Sequence, residues 1–263
     1  MIKAVFFDID GTLFSHKTNT IPETARQAVK QLRKNGILTF VASGRHILEM
    51  QEMPMGDLDE LGFEGYITLN GQYCYNKQEI IYQNPIEKED IVSLTEYLNT
   101  HPYPCGFFEE RHKYINYVSP AVEKIYERMA SKILEPGDLK RGYAHPVYQV
   151  TVYDMNRGEE EEFQSIMPHC KLSRWNDLAV DILSNAGSKE KGVEAVLNYY
   201  GIRREEAMAF GDAWNDIEML DYVGIGIAMG NAKPEVLRCT DKVTASVDED
   251  GIYRALLEYG LIL

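Results

Sequence analysis

Cysteine is scarce in this chain: four residues of 263, at Cys74, Cys105, Cys170 and Cys239. They lie far apart and form no CxxC pair, so the spacing encodes neither a disulfide framework nor a cysteine zinc site. Reduced thiols in a cytoplasmic protein are expected. The six histidines are scattered too, with no HExxH or comparable cluster. Positive charge is also in short supply. Lys and Arg number 27 against 41 Asp and Glu, a formal net charge of −14, which argues against nucleic acid or an anionic membrane as partner. No run approaches the roughly 18 apolar residues of a transmembrane helix. The start, MIKAVFFDIDGT, turns acidic where a signal peptide would stay apolar, and no cleavage site follows. Export by that route is not expected.

What is present suits a globular protein. Hydrophobic residues make up 44% and charged residues 26%, ordinary values for a chain with a sizeable core. The length predicts one to two domains. Lys3 to Phe7, Ile37 to Ala42, Tyr66 to Leu69, Ala207 to Phe210 and Val223 to Met229 are short apolar runs. Helical patterns separate them over Pro22 to Asn35, His46 to Met53, Lys189 to Tyr200 and Ile217 to Tyr222, with a last helix over Glu249 to Tyr259. Apolar strands alternating with helices predict a parallel sheet covered on both faces. Gln72 to Tyr75 and Glu79 to Tyr82 flank Asn76-Lys77-Gln78 as a hairpin.

The middle of the chain reads differently. Helices are expected over Glu87 to Asn99 and Pro120 to Ser131. Strands are expected at Phe107-Phe108, Tyr114 to Tyr117, Val147 to Tyr153 and Leu178 to Leu183. Tyr148, Val150 and Val152 alternate with Gln149, Thr151 and Tyr153, which predicts a sheet with two unlike faces. The pattern is an α+β insertion within an α/β domain. Core segments 1–83 and 185–263 would flank an inserted domain at 84–184, with linker-like sequence at Gln83-Asn84-Pro85 and Ser184-Asn185-Ala186-Gly187.

Three core strands end in small or acidic polar residues, Asp8, Ser43 and Asp212. In an open parallel sheet ligands bind beyond the carboxyl ends of the strands, so these three are expected around one crevice. In Asp8-Ile9-Asp10-Gly11-Thr12 two carboxylates are separated by one residue, and both point the same way if the strand continues through Ile9. Adjacent carboxylates that stay ionised need a cation, and oxygen ligands suit Mg²⁺. Gly211-Asp212-Ala213-Trp214-Asn215-Asp216 adds two more carboxylates at a second strand end. The plainer alternatives are that Asp8 and Asp10 cap backbone N–H groups of a turn, and that Asp212 or Asn215 caps the helix at Ile217 to Tyr222. Ser188-Lys189 opens a helix with a cation that opposes the helix dipole, a conflict that an anion would relieve. A solvated surface lysine is the alternative there, and Lys191 competes with Lys189. Ser43, beside Gly44, could donate to a phosphate oxygen or cap the helix at His46.

Asp8-Ile9-Asp10-Gly11-Thr12, Ser43-Gly44-Arg45, Lys189 and Gly211-Asp212-Ala213-Trp214-Asn215-Asp216 resemble the four motifs of the haloacid dehalogenase-like (HAD) phosphatases, in that family's order. Asn70-Gly71, Met229-Gly230-Asn231-Ala232 and Asp248-Glu249-Asp250-Gly251-Ile252 resemble segments of its Cof-type branch, subfamily IIB. Here Gly192 follows Lys189 by three residues, where many relatives have Lys-Gly adjacent. The resemblance implies a Rossmann-like core with a parallel sheet and an inserted α+β cap of the C2 type. It implies Mg²⁺-dependent hydrolysis of a small phosphorylated metabolite, a sugar phosphate or vitamin-type phosphate, through an aspartyl-phosphate. Asp8 would be the nucleophile and Asp10 the acid and base. Asp8, Asp212 and the Asp10 carbonyl would hold the metal, with Asp216 in support. Ser43, Gly44, Arg45 and Lys189 would bind the phosphoryl group, and Asn215 and Asn185 would assist. The cap, hinged near residues 83–86 and 183–188, would select the leaving group, with Arg111, His112, His145 and Trp175 as polar or aromatic candidates. A hexose phosphomutase and a non-catalytic metabolite-binding protein are the alternatives on the same scaffold.

Overall fold

The apolar runs form strands because almost every side chain in them finds a covered face. The computed structural model describes residues 1–53, 58–129, 131–240 and 242–263. In chain order its strands are β1 (Ala4–Phe7), β2 (Leu38–Ala42), β3 (Gly65–Thr68), β4 (Tyr73–Asn76), β5 (Ile80–Gln83), β6 (Cys105–Phe108), β7 (Lys113–Ile115), β8 (Gln149–Tyr153), β9 (Cys170–Asn176), β10 (Ala179–Ser184), β11 (Ala207–Gly211) and β12 (Ile225–Ala228). They form two sheets, and the chain divides into two compact units. Among the described residues no helix is long and apolar enough to cross a membrane.

The first unit comprises residues 1–45, 54–83 and 188–263. Its sheet runs β12-β11-β1-β2-β3-β4-β5. The first five of these strands pair in parallel, and β4 and β5 add an antiparallel hairpin at one edge. Every residue of β1, β3 and β11 is buried. One face of the sheet packs Phe6 and Phe40 against Val193, Val196 and Leu197 of the helix Lys189–Tyr200. Full burial of side chains of this size stabilises by about 1.5–3 kcal/mol each. The helix Glu23–Lys34 turns Ala25, Ala28, Val29 and Leu32 inward, as its spacing predicts.

The second unit comprises residues 46–53 and 84–187. Two stretches thus sit differently from the expected segments: 46–53 joins this unit, and the later boundary falls after Gly187. The first has a visible cause. The His46 ring bonds the Glu109 carbonyl at 2.8 Å, and Lys113 Nζ donates to Glu52 at 2.9 Å. The antiparallel sheet runs β7-β6-β8-β10-β9. One face is apolar: Cys105, Phe107, Val150, Val152, Val180 and Ile182 pack on Ile91, Leu94 and Leu98 of the helix Lys88–Leu98 and on Phe163 of the helix Glu160–Ile166. The alternate residues, Gln149, Thr151 and Asp181, are polar and also buried. The two unlike faces follow from the period-2 alternation in β8.

Burial pushes the Asp181 carboxyl up to about 7, with the Glu49 charge adding to it and bonds from Thr151 and Trp175 opposing it. This is above the ordinary unfolded value of about 3.9, so the folded state binds the proton more tightly. Stability from this group is present below the unfolded value and is lost as pH rises toward 7. Asp181→Asn should therefore gain on wild type by about 2–4 kcal/mol between pH 4 and pH 8, read as urea unfolding of the full chain at both pH values.

Candidate active site

The first unit's parallel strands place their carboxyl ends together. Asp8 directly follows β1, and its N–H donates to the Phe210 carbonyl of β11 at 3.0 Å. Asp212 directly follows β11. Ser43 directly follows β2, with its N–H donating to the Ile67 carbonyl of β3 at 2.8 Å. These backbone bonds lock the three strand ends in register, so the side chains just beyond them share one crevice.

Extended backbone stops at Phe7, one residue before Asp8, rather than running through Ile9. Leu13 N–H donates to Asp8 and Ile9 carbonyls, and Phe14 N–H donates to Ile9. Gly11 makes this turn possible at φ +84°, where a Cβ would also collide with the Asp212 carboxylate. The turn separates the two aspartates. Asp8 joins Asp212 and Asp216, one oxygen from each lying within 4.8 Å of the others. The Asp10 carboxylate instead accepts from Arg45 Nε at 2.7 Å and Nη2 at 2.9 Å, and pairs with His16 Nε2 at 2.8 Å. Burial alone would raise Asp10, but His16 and Arg45 outweigh it and hold the carboxyl well below the usual range.

Lys189 is the centre of the cluster. Its Nζ is 2.6 Å from Asp8 Oδ1 and 2.6 Å from Asp216 Oδ1, and the residue is 1% exposed. The surface-lysine alternative therefore fails. Lys191, its competitor, points outward and donates to Glu194 at 2.8 Å. Ser188 caps their helix by accepting from Lys191 N–H at 3.2 Å, which aims the first-turn lysine at the strand ends. Gly71, at φ +87°, lets the neighbouring loop reach this helix, since a Cβ there would strike the Ser188 carbonyl. Asp216 is fully buried and does two things. One oxygen meets Lys189, and the other accepts the N–H groups of Asp212 and Ala213 at 3.0 Å each. Asp216 thus ties down the turn after β11 while keeping its place in the cluster, and the helix Ile217–Tyr222 carries no side-chain cap from Asp212 or Asn215.

The remaining residues arrange themselves around this centre. Ser43 Oγ accepts from Arg45 N–H at 3.1 Å, which leaves its own proton to give; His46, not Ser43, caps the following helix. Gly44 lies against the Asn70 amide, whose oxygen accepts from Asn215 Nδ2 at 2.8 Å. Arg45, expected at the phosphate, is engaged with Asp10. Asn185 falls in the second unit, where its amide donates to the Pro168 carbonyl at 3.3 Å. Thr12 donates to Asp212 at 3.2 Å. Asn231 donates to the Gly11 carbonyl at 2.8 Å, and Asp248 and Asp250 accept from Ser15 and Thr24 at 2.6 and 2.7 Å. The Cof-type segments thus brace the loop that carries Asp10. His16 went unnoticed in the sequence because a lone histidine has no spacing signal.

Three carboxylates here face one ammonium, leaving two negative charges in a buried place. Burial, with Asp216 and then Asp212 nearby, pushes Asp8 well up despite Lys189. Burial and the Asp216 charge push Asp212 up to about 7. An all-oxygen donor set short of positive charge fits a hard divalent cation. Lys189→Met should cost about 3–5 kcal/mol at pH 7, because it strands two buried carboxylates. Urea unfolding should show a smaller loss at pH 5, where the stranded groups take up protons.

With this geometry in view, the comparisons with known proteins agree. The sequence model of the haloacid dehalogenase-like hydrolases matches residues 5–256. "Putative phosphatase YkrA" of Bacillus subtilis (strain 168) is 35% identical over 261 residues, covering 99% of this chain and 98% of that protein. The solved structure of the HAD subclass IIB sugar phosphatase BT4131 superposes with a TM-score of 0.87 at 34% identity, covering 99% of this chain and 100% of that one. The phosphatase BT1666 of Bacteroides thetaiotaomicron superposes at 0.89 with 29% identity, covering 100% and 96%. The fold and site define an α/β enzyme of the phosphatase class. The chain belongs to the haloacid dehalogenase-like hydrolase family.

Proposed function

We propose that this enzyme hydrolyses small-molecule phosphate monoesters with Mg²⁺ and through an aspartyl-phosphate on Asp8. One observation carries the reading: the buried ammonium of Lys189 sits 2.6 Å from both Asp8 and Asp216 at the carboxyl ends of the strands. An ammonium held there, among carboxylates, is placed to meet the oxygens of a phosphoryl group.

In this mechanism an Asp8 oxygen attacks phosphorus and the P–O bond to the alcohol breaks. The departing alkoxide takes a proton from Asp10. Water then attacks the aspartyl-phosphate, gives a proton back to Asp10, and phosphate leaves with the Asp8 carboxylate restored. Asp10 rests ionised under Arg45 and His16, so its acid role requires one of these donors to give way when substrate binds and Asp10 to take up a proton from solvent before the P–O bond breaks. We assign Arg45 to positioning Asp10. Lys189 neutralises charge on the phosphoryl oxygens, and the Ser43 hydroxyl donates to one of them, with Gly44 leaving room beside it. Asn215 orders the loop through Asn70. Asp8, Asp212 and the Asp10 carbonyl, supported by Asp216, would hold Mg²⁺, which supplies the positive charge that lets one anion approach another.

Hydrolysis is favoured over phosphomutase chemistry, which would need a basic clamp in the second unit. Arg141 forks onto Glu109 at 2.7 and 2.8 Å, Lys113 pairs with Glu52, and Arg111 lies beside Glu110. These three of the four candidate clamp residues, Lys140 being the fourth, are matched within the unit.

The test is phosphate release from a panel of sugar phosphates and vitamin-type phosphates. Asp8→Asn should lower turnover by about a thousandfold or more. Chelation should abolish wild-type turnover, and added Mg²⁺ should restore it. A variant as fast as wild type would show that Asp8 is not the nucleophile. Isomerised sugar phosphate without free phosphate would favour the mutase.

A further inference from the structure

The turn between β3 and β4 carries a side chain that the mechanism leaves half unused. Leu69, Asn70 and Gly71 all take left-handed backbone, at φ +52°, +55° and +87°. Two of the three have side chains, and a residue as large as leucine rarely adopts this conformation. Such a turn persists only where its surroundings hold it, and outliers of this kind gather at functional sites. The holding contacts are specific. Leu69 N–H donates to the Arg45 carbonyl at 3.2 Å, and Asn70 N–H donates to the Ser43 carbonyl at 3.1 Å. On the other side, a Cβ at Gly71 would strike the Ser188 carbonyl and come within 3.2 Å of the Lys189 backbone nitrogen. Asn70 is thus fixed between Ser43 and the start of the Lys189 helix, the two segments that supply the proposed phosphoryl donors.

The Asn70 side chain is 7% exposed. Its Oδ1 accepts from Asn215 Nδ2 at 2.8 Å, which fixes the amide. The amide lies on Gly44, where a Cβ would come within 3.0 Å of Oδ1 and 3.2 Å of Nδ2. With the oxygen taken, Nδ2 keeps two N–H groups and donates to nothing among the described residues. A donor buried to this degree calls for an acceptor. The carboxylates of the site are already engaged, Asp8 and Asp216 with Lys189, and Asp10 with Arg45 and His16. An incoming group rich in acceptor oxygens fits, and its negative charge would strengthen the bond.

We infer that Asn70 Nδ2 donates to an oxygen of the transferring phosphoryl group, as a third side-chain donor beside Lys189 and Ser43. The inference rests on the phosphatase reading and adds one group to that site. A neutral amide suits the place. It gives the phosphoryl group a directed bond, and it carries no charge with which to compete with Lys189 for Asp8. The left-handed turn is what brings the amide there, since it lets one residue bond Ser43 through its backbone and Asn215 through its side chain.

Two variants of the full chain separate a donor from a mere tie between loops. Asn70→Asp keeps the shape and the acceptor for Asn215 but replaces the N–H groups with a charged oxygen. Asn70→Gly removes the side chain while suiting the left-handed backbone, so its melting temperature should stay within about 3 °C of wild type. Binding of inorganic phosphate in Mg²⁺ buffer is measured by calorimetry, and turnover with p-nitrophenyl phosphate alongside it. Asn70→Gly should weaken phosphate binding about tenfold or more, and Asn70→Asp about tenfold further through repulsion. Turnover should fall in the same order. A residue that only ties Asn215 would give the opposite order, with Asn70→Asp close to wild type and Asn70→Gly the worse, and that result overturns the donor role. Phosphate binding unchanged in both variants, or absent in wild type, also overturns it. Phosphate release by wild type with binding unchanged in Asn70→Asp overturns the donor role alone. Phosphate binding that Asn70→Asp abolishes, with no ester hydrolysed by wild type, supports the donor role and sinks the hydrolase reading.

Discussion

The first unit is organised around one buried cation. Lys189 has no access to water, and it is kept charged because Asp8 and Asp216 each lie 2.6 Å from its nitrogen. Burial would lower its proton affinity, but the two carboxylates raise it above the ordinary value. Such an arrangement is costly to break from either side, since removing any partner strands a charge. It also links three separate segments of chain, at residues 8, 189 and 216.

Around that ion the loops are held by bonds with two uses each. Asp216 neutralises Lys189 with one oxygen and ties down the turn after β11 with the other. Arg45 grips the Asp10 carboxylate while its backbone N–H bonds Ser43. Asn231 reaches the Gly11 carbonyl and accepts the Val247 N–H, so the Asp248 segment and the Asp10 loop are fastened by one side chain. Rigid placement of this kind is what phosphoryl transfer asks of a protein, because positioning and charge supply most of the catalysis. The second unit puts its polarity to a different use. Its sheet buries one apolar face for stability and keeps hydrogen-bonding groups on the other.

Much of this was legible because the signals were local. The helix Lys189–Tyr200 occupies the expected residues, marked by a serine cap and an apolar stripe. The parallel strands were visible as short apolar runs, and the insertion as a change of pattern after Pro85. The strand β9 was missed because Cys170–Asn176 is a half-exposed edge with no clean alternation. The helix Glu160–Ile166 was missed because it buries only Phe163, and the helix Pro234–Cys239 because it buries only Val236. Each leaves too short an apolar stripe for a period to show. His16 reaches the site through tertiary contacts alone, whereas Asn70 lies in a segment that the sequence already marks.

The sequence by itself determined which strands end in acids, that an α+β insertion interrupts the core, and which motifs the site is drawn from, because periodicity and strand-end chemistry act over a few residues. Only the tertiary structure decided between Lys189 and Lys191 and separated the Asp10 carboxylate from the Asp8 cluster. Those choices depend on burial and on charges brought together from distant segments. A carboxylate's partner depends on distance in space, and strand and helix patterns carry no record of it.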